Sequence, residues 1–149
     1  MHNAHLFNYL GIDSKDGSAF VADAREQVDE FGVDRRQGES VTAVERSDDG
    51  FTVATEDDEY YAAYVVFATG TDRDLAADLG CEIGDDETVT VDIDMETSVA
   101  DAYATGATAR DQKWQAIISA GDGAAAALDI LSKEKGEHFH DFDTPADAE

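Results

Sequence analysis

Twice along this chain an apolar stretch ends on the tripeptide Ala-Thr-Gly. Tyr64-Val65-Val66-Phe67-Ala68 runs into Thr69-Gly70, and Ala102-Tyr103-Ala104 runs into Thr105-Gly106. The first run is continuously apolar, which predicts a strand covered on both faces, as in a parallel sheet. A residue without a side chain at a strand's end lets backbone come close to a ligand, and ligands of open α/β sheets sit beyond those ends. Gly70 and Gly106 both meet that condition. Each also has a plainer reading as a tight turn, and the sequence leaves the two open. The fold class expected is α/β with a parallel sheet.

The segments between fit that class. From Ser18 to Phe31, Phe20, Ala24, Val28 and Phe31 fall on one helical face, with Asp23, Glu26 and Glu30 away from it and Gly32 as a left-handed cap. Ser40–Glu45 and Phe51–Thr55 alternate as strands joined by a hairpin at Ser47-Asp48-Asp49-Gly50, and a third strand follows Asp57-Asp58. A short helix is expected around Leu75–Leu79, and alternation at Val89, Val91 and Ile93 predicts a further strand. Trp114, Ile117, Ile118, Gly121, Ala125, Leu128 and Leu131 mark a long helix with a face of small residues. Residues 1–135 read as one domain and 136–149, with Pro145, as an acidic tail.

Composition narrows the function. The 149 residues carry 10 Lys and Arg against 35 Asp and Glu, a formal charge of −25. Phosphate contacts need clustered cations, so nucleic acid and anionic membranes are not expected partners. No apolar run reaches the roughly 20 residues of a membrane span, and MHNAHLFNYL lacks the plan of a signal peptide, so a cytoplasmic protein is expected. The acids are spread through segments that read as folded. Their repulsion is best screened at high salt, which points to a halophile. The single cysteine, Cys81, excludes an internal disulfide, a CxxC pair and a multi-thiolate site. It reads as a half-buried inert thiol whose pKa neighbouring carboxylates raise. Glu137-His138-Phe139-His140-Asp141 and the pair His2 and His5 match no closed zinc set, and no metal site is expected.

Three blocks carry a family resemblance. Ala22–Gln27 through Phe31-Gly32, with Phe7–Gly11 before it, looks like the helix and flavin-side loop ahead of a β-meander. YVVFATGTDR, Tyr64 to Arg73, resembles the strand and turn closing that meander. Thr97–Gly106 followed by Gln115–Ala126 is similar to a C-terminal FAD block. Together they resemble thioredoxin reductase-like flavoproteins of the pyridine nucleotide-disulfide oxidoreductase class.

The resemblance implies an FAD/NAD(P)-binding Rossmann-like domain with parallel sheet, β-meander and flanking helices, and FAD lying against Gly70, Gly106, Ala107, Trp114, Gln115 and Ala116. It implies the Gln115 amide at the flavin pyrimidine edge. Trp114, where the family usually has Arg, reads as a core aromatic or as a ring near the flavin. The departures are as telling. The family's opening strand and GxGxxG turn are not in this sequence, nor is its inserted NADPH domain with CxxC. The family's acid after the second glycine is Ala107 here. Gly121-Asp122-Gly123 lies within a helix, where Asp122 would repel phosphate. The domain is thus expected to be incomplete, lacking the N-terminal βαβ unit, and FAD binding by this chain alone weak or absent. The leading reading is a flavin-dependent oxidoreductase, with an N-terminally truncated chain as one form of it. No residue reads as a catalytic acid, base or nucleophile. The rival is a non-catalytic remnant or interaction module without flavin. A homodimer and the identity of the redox partner are left open.

Overall fold

The computed structural model describes residues 4–139, which lie in two compact units, Met1–Ser40 and Val41–Glu149. His2, His140, Asp141 and Pro145 lie outside the described residues.

In the first unit, β1 (His5–Leu6) and β2 (Lys15–Asp16) pair antiparallel and lead straight into α1 (Gly17–Glu30). The Asp16 carboxylate accepts from the Ser18 and Ala19 N–H groups at 2.9 and 3.4 Å, satisfying donors that the helix start leaves unpaired. Gly32, at φ +73°, follows the Phe31 cap as the spacing predicts. Lys15 pairs with Asp23, and Arg35 holds Asp29 at 2.6 and 3.0 Å. The predicted apolar face is only partly covered. Phe20 is half-buried with its ring 5.7 Å from that of Tyr9, whereas Phe31 is 81% exposed.

The second unit opens with the meander β3 (Val41–Ser47), β4 (Gly50–Thr55) and β5 (Glu59–Ala62). Ser47 faces Gly50 across a two-residue loop. The glycine is required by its neighbours as well as by its φ of +146°. A Cβ there would stand 2.3 Å from the Ala62 carbonyl oxygen. Next come β6 (Val65–Phe67), α2 (Asp74–Leu79), β7 (Ala102–Ala104), a 3₁₀ turn at Gly106–Thr108 and α3 (Ala116–Lys135).

β6 and β7 pair in parallel, Val65 to Ala102, Val66 to Tyr103 and Phe67 to Ala104, so their two Ala-Thr-Gly ends emerge side by side. Buried Phe51, Phe67, Val89, Ala102 and Ala104 pack beneath them with Ala76 and Cys81. Full burial of one Phe or Val side chain contributes roughly 1.5–3 kcal/mol. Across β7, the fully buried Tyr103 packs with Met95 and Ala126, which brings α3 against the strand. The Tyr103 hydroxyl donates to Asp129 at 2.6 Å, and Lys133 reaches Glu96, Asp101 and Asp129 at 2.5, 3.2 and 3.5 Å.

Two expectations are corrected. Val66 is 45% exposed, and among the described residues β6 has β7 as its one strand partner, so the apolar run is not covered on both faces. The segment around Val89 to Ile93 is no regular strand. It is held by the isolated bridges Ile83 to Val89 and Val91 to Thr97, and Ile93 is 90% exposed. The alternation marks a looped segment that buries Val89 alone completely, and turns at Met95 and Asp101, at φ +68° and +66°, interrupt any longer ladder. Among the described residues no helix is long and apolar enough to cross a membrane.

Candidate functional site

The parallel register sets the two glycine turns beside each other, and Thr108 ties them together. Its side chain is fully buried. The hydroxyl accepts from the Thr69 N–H at 3.1 Å and donates to the Gly70 carbonyl at 3.2 Å. Arg73, at the start of α2, adds a second tie. Its guanidinium donates to the Ala107 carbonyl at 2.8 Å, to the Thr108 carbonyl at 3.4 Å and to the Thr71 carbonyl at 2.8 Å. Thr69 closes its own turn by donating to the Asp72 carbonyl at 2.5 Å.

The glycines differ. Gly70 sits at φ +72° with nothing within 4 Å of where a Cβ would stand, so the space above it is open. Gly106, at φ +60°, is packed against α3, and a Cβ there would lie 2.8 Å from the Ser119 hydroxyl oxygen. The Gly106 N–H is already engaged, donating to the Asp122 carboxylate at 3.1 Å. Both readings of the sequence therefore meet at this point. Gly106 is a tight turn against protein, and Gly70 is the glycine that leaves room.

Asp122 is the residue the sequence reading missed. It projects from α3, is 5% exposed, and accepts two bonds from Arg110, at 2.8 Å from Nε and 2.6 Å from Nη2. The Arg110 hydrogen bonds hold its carboxyl below the usual carboxylate range despite burial, and Arg110 is raised in turn. The available signal was an acid set among Gly and Ala in the N-terminal half of the helix, with an arginine in the loop before it.

Of the other expected residues, Ala107 is half-buried, and among the described residues its N–H has no hydrogen-bond partner. Gln115 is the N-cap of α3, but its side chain makes no capping bond, so the first N–H groups of a 20-residue helix, Ala116 among them, lack a side-chain acceptor. Trp114 is not a core aromatic. It is 51% exposed, precedes the helix, and donates its indole N–H to the Arg110 carbonyl at 2.9 Å. Cys81 is more deeply buried than expected, at 5% exposure, and burial, rather than neighbouring carboxylates, pushes its thiol up. Among the described residues no group of three or more His, Cys, Asp or Glu is arranged to hold a metal ion.

The arrangement offers backbone donors, an open glycine turn and an uncapped helix start at one end of a parallel sheet. Such a set can bind and orient a polar ligand, and it contains no nucleophile or acid–base pair.

Residues 14–124 match the family described as pyridine nucleotide-disulphide oxidoreductase. The chain belongs to that family. No curated protein matches it. Among solved structures, a thioredoxin reductase from Gloeobacter violaceus aligns over 94% of this chain and 84% of its own, with a TM-score of 0.83 at 16% identity. The T. acidophilum thioredoxin reductase aligns over 88% and 85%, with a TM-score of 0.77 at 15% identity. A ferredoxin-flavin thioredoxin reductase from Clostridium acetobutylicum aligns over 89% and 83%, with a TM-score of 0.73 at 16% identity. At these identities the likeness is one of fold, the α/β, Rossmann-like fold of FAD/NAD(P)-binding proteins.

Proposed function

We propose that this family member works as a flavin-dependent oxidoreductase of thioredoxin reductase-like type, with FAD lying over the crevice where the Gly70 and Gly106 turns meet the start of α3. The observation that carries the reading is Thr108, which fixes both turns at one sheet end and so gives a ligand one shared edge rather than two separate loops. The name of one similar structure, the Clostridium enzyme, includes a flavin.

The residues present fit part of such a cofactor. Gly70 leaves a space that a Cβ would fill, the Ala107 N–H faces no protein acceptor, and the uncapped start of α3 favours negative charge. In this reading Gln115 and Ala116 meet the flavin's pyrimidine edge and Trp114 flanks it. When bound, the flavin supplies the electron transfer, and the protein groups position and tune it. The pyrophosphate has no matching glycine-rich strand-to-helix turn among the described residues. Without that contact FAD affinity is weak.

A scaffold that no longer takes flavin is the second reading, favoured by the Gly106 N–H being committed to Asp122 and by the lack of a carboxylate at Ala107. In either case the net charge of −25 supports a protein of a high-salt cytoplasm that binds neither nucleic acid nor anionic membrane. The deciding experiment uses the single tryptophan. Trp114 stands half-exposed beside the start of α3, so FAD added in molar KCl should quench its emission saturably and be lost again on dialysis. Quenching that rises linearly with FAD, without saturation, sinks the flavin reading and leaves the scaffold.

A further inference from the structure

We propose that Asp122 is the positioning residue of the Gly106 turn: its carboxylate, clamped by Arg110, takes up the Gly106 N–H and leaves the Ala107 N–H as the donor that this turn presents to a ligand. Three observations carry the assignment. Asp122 comes from the second turn of α3, yet its oxygens serve two points of the loop before that helix, Gly106 at 3.1 Å and Arg110 at 2.6 and 2.8 Å. It is 5% exposed, and a carboxylate so buried persists only where its lone pairs are engaged, as they are here. The two ends of the 106–110 loop are thus drawn to one point on α3, and among the described residues the Ala107 N–H between them makes no bond to that acceptor.

The clamp holds the loop from the α3 side. The carboxylate lies inside, on the helix, and the outer face of the turn is backbone. A ligand hydroxyl that meets this turn finds a donor, where a side-chain acid would offer an acceptor. The link to FAD rests on the flavin reading above; the ordering of the turn does not.

The test compares the 149-residue chain with Asp122→Ala and Asp122→Asn in molar KCl, following amide exchange by ¹H–¹⁵N NMR and FAD affinity by Trp114 quenching. Asp122→Asn keeps an oxygen for the Gly106 N–H and is the variant to read should the alanine form fail to fold. The expected result is a Gly106 amide protected in the parent, exchanging at least about tenfold faster in Asp122→Ala while Tyr103 stays protected, and largely restored in Asp122→Asn, with Ala107 exchanging fast in the parent. FAD affinity should then fall at least about fivefold in Asp122→Ala and recover in Asp122→Asn. A Gly106 amide indifferent to Asp122→Ala, or a protected Ala107 amide, overturns the proposal. So does equal FAD affinity in all three proteins. Should the amides behave as expected and none of the proteins bind FAD, Asp122 stands as the anchor of the turn and the flavin reading falls.

Discussion

The Thr108 hydroxyl lies 3.2 Å from the Gly70 carbonyl oxygen, so the turn after β7 is bonded directly to the turn after β6. Parallel pairing alone would place the two turns near each other. This bond, with the Thr69 N–H donating to the same hydroxyl at 3.1 Å, fixes their separation and orientation.

Thr108→Val should therefore cost about 1–3 kcal/mol, because a group of nearly the same shape leaves the Thr69 N–H and the Gly70 carbonyl without their partner. Thr108→Ser keeps the hydroxyl and should cost less. Urea denaturation in molar KCl checks both. Equal stability of Thr108→Val and the parent would show that the tie contributes nothing.

The two glycines should respond differently to alanine. At Gly70 the new methyl group meets open space, leaving only the left-handed backbone strain of about 1–2 kcal/mol. At Gly106 the same strain is joined by a Cβ 2.8 Å from the Ser119 hydroxyl oxygen. Gly106→Ala should be the more destabilising, and adding Ser119→Ala should recover part of the difference. Flavin loss in a Gly106 variant is consequently no measure of ligand contact, whereas loss in Gly70→Ala with stability retained is.

How far these relationships were legible in the sequence depends on their range. The strand-to-glycine turns, α1 with Gly32, the Gly50 hairpin and α3 are local patterns of period and punctuation, and each stands close to where spacing puts it. Asp122 is the opposite case. Its partners lie 12 and 16 residues away, across a helix start, so an acid among alanines looked like an obstacle to phosphate when it is the anchor of a loop. Thr108 was illegible for a related reason, since its role exists only once β6 and β7 pair. Val66 and Trp114 failed on burial. An apolar side chain is covered only if something packs on it, and no pattern within Tyr64–Ala68 or at Lys113–Gln115 says what does.

The carboxyl of Asp122 is held below its ordinary pKa, chiefly by hydrogen bonds from Arg110. A depressed folded-state value means that the clamp's contribution is fully present above the unfolded pKa of about 3.9 and is lost as pH falls through the lower folded value. Stability in molar KCl should accordingly drop more steeply below about pH 4 in the parent than in Asp122→Asn, which has no such proton to take up. Parallel acid limbs in the two proteins would mean that the clamp does not titrate with folding.

Cys81 should be silent. Burial raises its thiol pKa and its Sγ lies 3.4 Å from the Thr97 hydroxyl, so little thiolate is exposed at neutral pH. Iodoacetamide should label the protein slowly when native and rapidly in urea. Fast native labelling would place the thiol at an accessible site and overturn its reading as inert.

Lys133 gives the salt dependence a specific residue to act on. Its ammonium faces Glu96, Asp101 and Asp129 at 2.5–3.5 Å and holds the loop before β7 to the last turns of α3. Burial of the ammonium would lower its pKa, but the bonds to Glu96, Tyr103 and Asp101 outweigh that, and the net direction is upward, so the charge persists well above neutral pH. Lys133→Met removes the cation shared by the three carboxylates and leaves Glu96 and Asp129 facing Asp101, which keeps Arg46 at 3.7 Å, in a chain already at −25. The loss should exceed the ~1 kcal/mol of an exposed pair, because it adds repulsion to lost attraction. It should also shrink with KCl, since screening falls to about 3 Å at 1 M and acts on the repulsion that the substitution exposes. Melting the parent and Lys133→Met from 0.1 to 3 M KCl reads both quantities. A gap between the two that stays constant with salt would assign the effect of Lys133 to packing over the Tyr103 ring, 5.1 Å from its ammonium, rather than to charge.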